Sequence, residues 1–127
     1  MTKDKKQSDN LQVIGPSAYI SVAGHDDVPA KIDTGAEASA IWASGISINE
    51  DGALTFCLFG ESSPFYDGKV IKTKDYKVIV TRSAMGQEQV RYRVFIPITI
   101  NEHTIRVLFS LADRSRNNFP VLIGKRT

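Results

Sequence analysis

Few residues in this chain have the type and spacing to do chemistry, and Asp33 is the foremost of them. In Ala30-Lys31-Ile32-Asp33-Thr34-Gly35-Ala36 a carboxylate follows an apolar run and precedes a hydroxyl and a glycine. The run reads as a strand and Gly35 permits a sharp turn, so Asp33 is expected at a rigid strand end. The same tripeptide also occurs as a plain turn, so its meaning depends on context. The other reactive types are poorly placed. Cys57 is the single cysteine, which excludes an intrachain disulfide and any zinc site needing two thiolates, and no basic neighbour marks it as a nucleophile. His25 and His103 lack metal-ligand spacing and read as turn residues. Gly68-Lys69 and Gly124-Lys125 fail as phosphate loops: Ser63 and Phe119 stand where the first glycine belongs, and no Ser or Thr follows either lysine. No Gly-x-Ser-x-Gly elbow occurs. Asp26, Asp27, Glu37 and Asp113 read as solvated or ion-paired surface.

The elements that must position these residues are strands. Val90, Tyr92, Val94, Ile96, Ile98 and Ile100 alternate with more polar positions over a long stretch, with a bend expected at Pro97. Asn101-Glu102-His103 interrupts the alternation, and Ile105, Val107, Phe109 and Leu111 resume it, which makes a β-hairpin. A second hairpin runs from Tyr76–Thr81 back through Val90–Val94 across a turn near Met85-Gly86. Upstream, Leu11–Val22 and Val28–Ile32 form strand, turn, strand around Gly24 and Asp26-Asp27. Glu37–Ala43 has helix-permitting alanines but is confined between Gly35 and Gly45, too short for a helix. Glu61–Lys69 has loop composition.

The 127 residues suit a single domain, spanning residues 11–127 after a flexible polar arm at residues 1–10. A two-lobed site must therefore come from two chains. Sixteen basic against 14 acidic residues give a net +2, too little for charge to imply a nucleic-acid partner. No run approaches the roughly 20 apolar residues of a membrane span, and no apolar stretch follows the basic start, so a cytoplasmic protein with no membrane partner is expected.

Taken together, the Asp-Thr-Gly strand end, the two hairpins and the run Phe119-Pro120-Val121-Leu122-Ile123-Gly124 resemble the retropepsin-like aspartic peptidases. The likeness extends from about Leu11 to Arg126. AKIDTGAEASAI, RSAMGQEQVRYRV and ADRSRNNFPVLIGKR are similar to a bacterial branch once labelled ATP-dependent zinc proteases. With neither a phosphate loop nor a zinc signature here, the resemblance implies a metal-free aspartic peptidase with no cofactor. It implies an all-β fold, a closed acid-protease barrel built from β-hairpins with one lobe per chain.

The same resemblance assigns roles. Asp33, Thr34 and Gly35 become the catalytic loop: Asp33 pairs with its copy across the axis of a homodimer, Thr34 braces the two loops and Gly35 turns the backbone beneath the carboxylates. Leu122, Ile123 and Gly124 pack beside that loop, and Ala36 stands where many members carry a serine. Ala84, Met85 and Gly86 form the tip of a flap over a peptide or protein substrate. Members of the family usually continue past Gly124 through a short helix and a terminal strand, whereas this sequence stops at Thr127, so a weak dimer is expected. The rival readings are a non-catalytic β-barrel adaptor and a sheet-edge peptide-binding module.

Overall fold

Alternation of apolar and polar residues makes most of this chain strand, because a period of two turns one side of the backbone to a core and the other to water. The computed structural model describes residues 16–125. The polar arm and the start of the domain at Leu11 lie outside the described residues. Among those described, every regular element is a strand: β1 (Ser17–Val22), β2 (His25–Asp33), β3 (Ser39–Ile48), β4 (Leu54–Leu58), β5 (Ile71–Thr73), β6 (Lys77–Arg82), β7 (Glu88–Ile100), β8 (His103–Ala112) and β9 (Val121–Gly124).

Six of them close a barrel in the order β3-β8-β7-β1-β2-β9, with β9 pairing back onto β3. The interior is filled by the inward sets of each strand, among them Ile20 and Val22, Val28 and Ala30, Val94, Ile96 and Ile98, and Val107, Phe109 and Leu111. Two groups hang from the ring. β4 and β5 pair in turn onto the second half of β3, where Phe56 and the following Phe59 extend the core. β6 pairs only with β7, so the β6–β7 hairpin stands off the barrel.

The expected hairpins are present, with changes of detail. The turn between β7 and β8 has two residues, Asn101 and Glu102, both at positive φ (51° and 69°), the geometry whose twist matches the flanking strands. His103 is not a turn residue but opens β8 opposite Ile100. Pairing continues through Pro97 with no register shift. The stripe on β7 is buried only from Val94 onward. Val90 is exposed because β8 stops pairing at Arg93 and leaves nothing beneath it.

The first turn is Ala23-Gly24, not Asp26-Asp27. Those aspartates lie in β2, where Asp27 (φ 59°) forms a bulge as the register slips between Ile20 and Val22. His25 opens β2, hydrogen-bonds Asp67 at 3.0 Å and meets Phe59 edge-on. The Glu61–Lys69 loop is therefore tied to the barrel at that point.

The largest departure is at Glu37–Ala43. It is the entry to the ten-residue strand β3, in which Ser39, Ile41 and Ala43 alternate inward. Alanine's helix preference is worth well under 1 kcal/mol per residue and yields to pairing on both sides, with β8 and β9. Gly45, which looked like a boundary, has φ 61° at the irregularity where β3 has already left β8 for β4.

Phe109 is fully buried at the centre of this core, whereas Tyr19 is 71% exposed. Phe109→Ala should lower unfolding free energy by about 3–5 kcal/mol in urea titration, and Tyr19→Ala should change it by less than about 1 kcal/mol. Equal effects would place the core elsewhere.

Candidate active site

Asp33 is the last residue of β2, and its place is set by the four-residue strand β9. β9 runs parallel to β2 with Asp33 opposite Gly124, and antiparallel to β3 with Ala40 opposite Leu122. Directly after Asp33 the chain turns. Ala36 N–H donates to the Asp33 carbonyl at 3.1 Å, and Gly35 N–H donates to Asp33 Oδ1 at 3.0 Å. The carboxylate thus caps its own turn, as a short acidic side chain favours. A Cβ at Gly35 would lie 3.3 Å from that same oxygen, closer than a side chain ordinarily sits, so the tight approach suits glycine.

The far side of the turn is pinned to the end of β9. Lys125 N–H donates to the Ala36 carbonyl at 2.9 Å, and the exposed Lys125 and Glu37 side chains form an ion pair at 3.0 Å. Gly124 N–H donates to Ser39 Oγ at 2.9 Å in a buried position. No side chain fits at Gly124: a Cβ there would be 2.7 Å from the Ala38 carbonyl oxygen and 2.9 Å from that of Ala36. Asp33, Thr34, Gly35 and Ala36 are therefore brought together with Leu122, Ile123 and Gly124.

Asp33 lines a cleft of about 350 Å³ with Lys31, Leu122, Arg114, Asn117, Asn118 and Phe119. Among the described residues it is the only carboxylate on the cleft wall. Lys31 reaches it because Lys31 and Asp33 both face outward, on the side of β2 opposite Val28 and Ala30. The other side chains come from the loop between β8 and β9 and from β9 itself. Arg114 braces that loop by donating from Nε to the Phe119 carbonyl at 3.0 Å, and Trp42 N–H donates to Pro120 O at 2.9 Å. Partial burial lowers the Arg114 pKa from its ordinary value, yet a guanidinium stays cationic at neutral pH.

Ala84, Met85 and Gly86 are not among these residues. They sit at the tip of the β6–β7 hairpin, where Ser83 organises the turn: its backbone pairs with Gln87 and Gly86, and its hydroxyl accepts N–H groups of Met85 and Gln87. Met85 is 87% exposed. Sequence reading missed Ser39, Arg114 and the two asparagines. Ser39 had a legible signal, its place two residues before Ile41 and four before Ala43 in an inward series. The loop residues had none, because a Phe119-Pro120 ending says nothing of where the preceding side chains lie.

The Ser39 hydroxyl is the side-chain group that meets the Gly124 amide. Ser39→Ala should therefore cost about 1–3 kcal/mol by leaving a buried donor unmet, while Ser62→Ala on the exposed loop should cost less than about 0.5 kcal/mol. Chemical denaturation of both variants measures the difference, and a Ser39→Ala protein as stable as the parent would contradict this role.

No curated protein matches this chain. Among solved structures, protein Lpg0085 of Legionella pneumophila subsp. pneumophila str. Philadelphia 1, of unknown function (DUF785), is similar in fold, with a TM-score of 0.62. The two are 20% identical over 89% of this chain and 83% of that one. A family model described as RimB-like, retropepsin-like aspartic endopeptidase RimB, matches residues 14–127. That match takes in the Asp33 turn, the barrel and β9, and the chain belongs to the RimB-like family of retropepsin-like aspartic endopeptidases.

Proposed function

We propose that this protein is an aspartic endopeptidase whose active site forms where the Asp33 turns of two copies meet at a twofold axis. The observation that carries the reading is the half-site itself. One carboxylate is fixed at a strand end, one of its oxygens is held by Gly35, and Thr34 and Gly35 are exposed beside it. Hydrolysis by this chemistry needs two carboxylates sharing one proton, an arrangement of which the aspartic proteases are the standard worked example. An isologous contact brings a residue to its own copy and supplies the second.

In that pair one carboxylate takes a proton from water as the water attacks the peptide carbonyl. The other, protonated, donates to the carbonyl oxygen. Collapse of the tetrahedral intermediate then breaks the C–N bond as the amine leaves with a proton. Gly35 N–H keeps Oδ1 oriented through these steps, and the free oxygen faces the water. The β6–β7 hairpin acts as a flap, excluding bulk water from the reacting groups. Its support is that the hairpin is paired to the barrel through β7 alone and carries Met85 at an exposed tip. No helix among the described residues is long and apolar enough to cross a membrane. The single cysteine supports a reducing, cytoplasmic setting.

Asp33→Asn keeps the acceptor for Gly35 N–H and loses the proton-accepting group, so it should leave the thermal transition in place and cut peptide cleavage by about 10²–10⁴-fold or more. Specific activity of the parent should rise with protein concentration until dimers saturate. Undiminished cleavage by Asp33→Asn would remove Asp33 from the chemistry, peptide binding without cleavage by the parent would favour the adaptor or peptide-binding reading, and activity independent of dilution would remove the dimer.

Gly86 has φ 84° with open space around it, a conformation that valine rarely adopts. Gly86→Val should slow kcat more than it lowers Tm. A variant with normal turnover would show that the tip takes no part in the reaction.

A further inference from the structure

We infer that the root of the β6–β7 hairpin holds a binding site for an oxyanion, built by Arg93 and Lys77. Arg93 is the one residue of β7 paired to both β6 and β8, opposite Lys77 on the first and Ser110 on the second. It marks the point where the hairpin joins the barrel. Residues directly opposite on an antiparallel ladder share a face with Cβ atoms about 4.5–5.5 Å apart, and like charges so placed repel. Arg91, two residues along β7, adds a third cation to that face about 7 Å away.

No carboxylate among the described residues answers them. The hairpin's own Glu88 pairs with Arg82 on the opposite face, and Arg91 reaches only Gln89, at 3.3 Å. Arg106, farther along the same outer face, lies over the Phe95 ring at 4.4 Å. Arg93 Nε is buried without any hydrogen-bond partner, alone among such side-chain atoms of the described residues. A buried charged donor left unmet is costly. A carboxylate or phosphate group accepts two parallel N–H bonds from a guanidinium and cancels the repulsion with Lys77.

An ion bound here ties β6 to the barrel edge and stiffens the hairpin. Any effect of that on peptide cleavage rests on the function proposed above, but binding itself does not. The test uses the full chain, titrated separately with sodium phosphate and sodium acetate against sodium chloride at matched ionic strength, and followed by thermal unfolding. At ten times its Kd the bound ion should raise Tm by about 3–8 °C, with a further rise that follows the logarithm of ion concentration. Phosphate alone acting assigns a phosphate site, and acetate acting as well assigns a carboxylate site. Arg93→Gln and the exposed Lys77→Gln should each weaken binding at least tenfold, while Lys72→Gln and Asp33→Asn should leave it unchanged. Should Arg93→Gln fail to fold, Lys77→Gln decides the matter. A response equal to that of chloride, or unaltered in Lys77→Gln, overturns the site.

Discussion

Strand β9 is only four residues long, and both the closure of the barrel and the position of Asp33 run through it. It can lie between β2 and β3 because Gly124 has no side chain: the backbone of Ala36 and Ala38 occupies the space a Cβ would need. The closeness has a price, since burying the Gly124 amide leaves a donor out of reach of water, and Ser39 Oγ meets it. With that contact in place, Lys125 can hold Ala36 from the other side, and the Asp33 turn becomes a fixed edge of the barrel rather than a loose loop.

The hairpin obeys a different balance. From Val94 to Ile98 strand β7 alternates into a filled core, and the same strand from Glu88 to Tyr92 has β6 as its sole neighbour. A two-stranded ribbon with no layer beneath it is marginally stable alone. Val78, Val80 and Val90 accordingly remain exposed on one face, and Arg91 and Arg93 lie on the other. Such an element can move without disturbing the barrel, as the flap proposed above requires.

The cleft beside Asp33 combines one carboxylate with Lys31, Arg114 and two asparagines. Its polar wall is carried by the loop between β8 and β9, braced from within by Arg114 and joined to β3 through Trp42 and Pro120. A rigid strand end therefore supplies the acidic group, and a loop shapes what lies beside it. This division suits a scaffold whose chemistry stays constant while its binding surface varies.

Local patterns determined much of this. A period of two marked β7 and β8, with the inward residues correct from Val94 to Ile98 and from Val107 to Leu111, and Asp-Thr-Gly announced a strand end followed by a turn, because alternation and glycine's freedom act within a few residues of chain. The Phe119–Gly124 run was legible as a short apolar segment ending in glycine, and its place beside the Asp33 turn came from the family resemblance. What lay beyond the sequence were the choices made between distant segments. Ser39–Ala43 is strand because β8 and β9 flank it, against the preference of its alanines. Val90 lies in water because β8 stops pairing at Arg93, although its place in the alternation is that of a core residue. Arg114 and Asn117 line one cleft with Asp33 because β9 folds back beside β2. Burial and pairing depend on partners far away in the chain, and only the closed tertiary structure decides which partners those are.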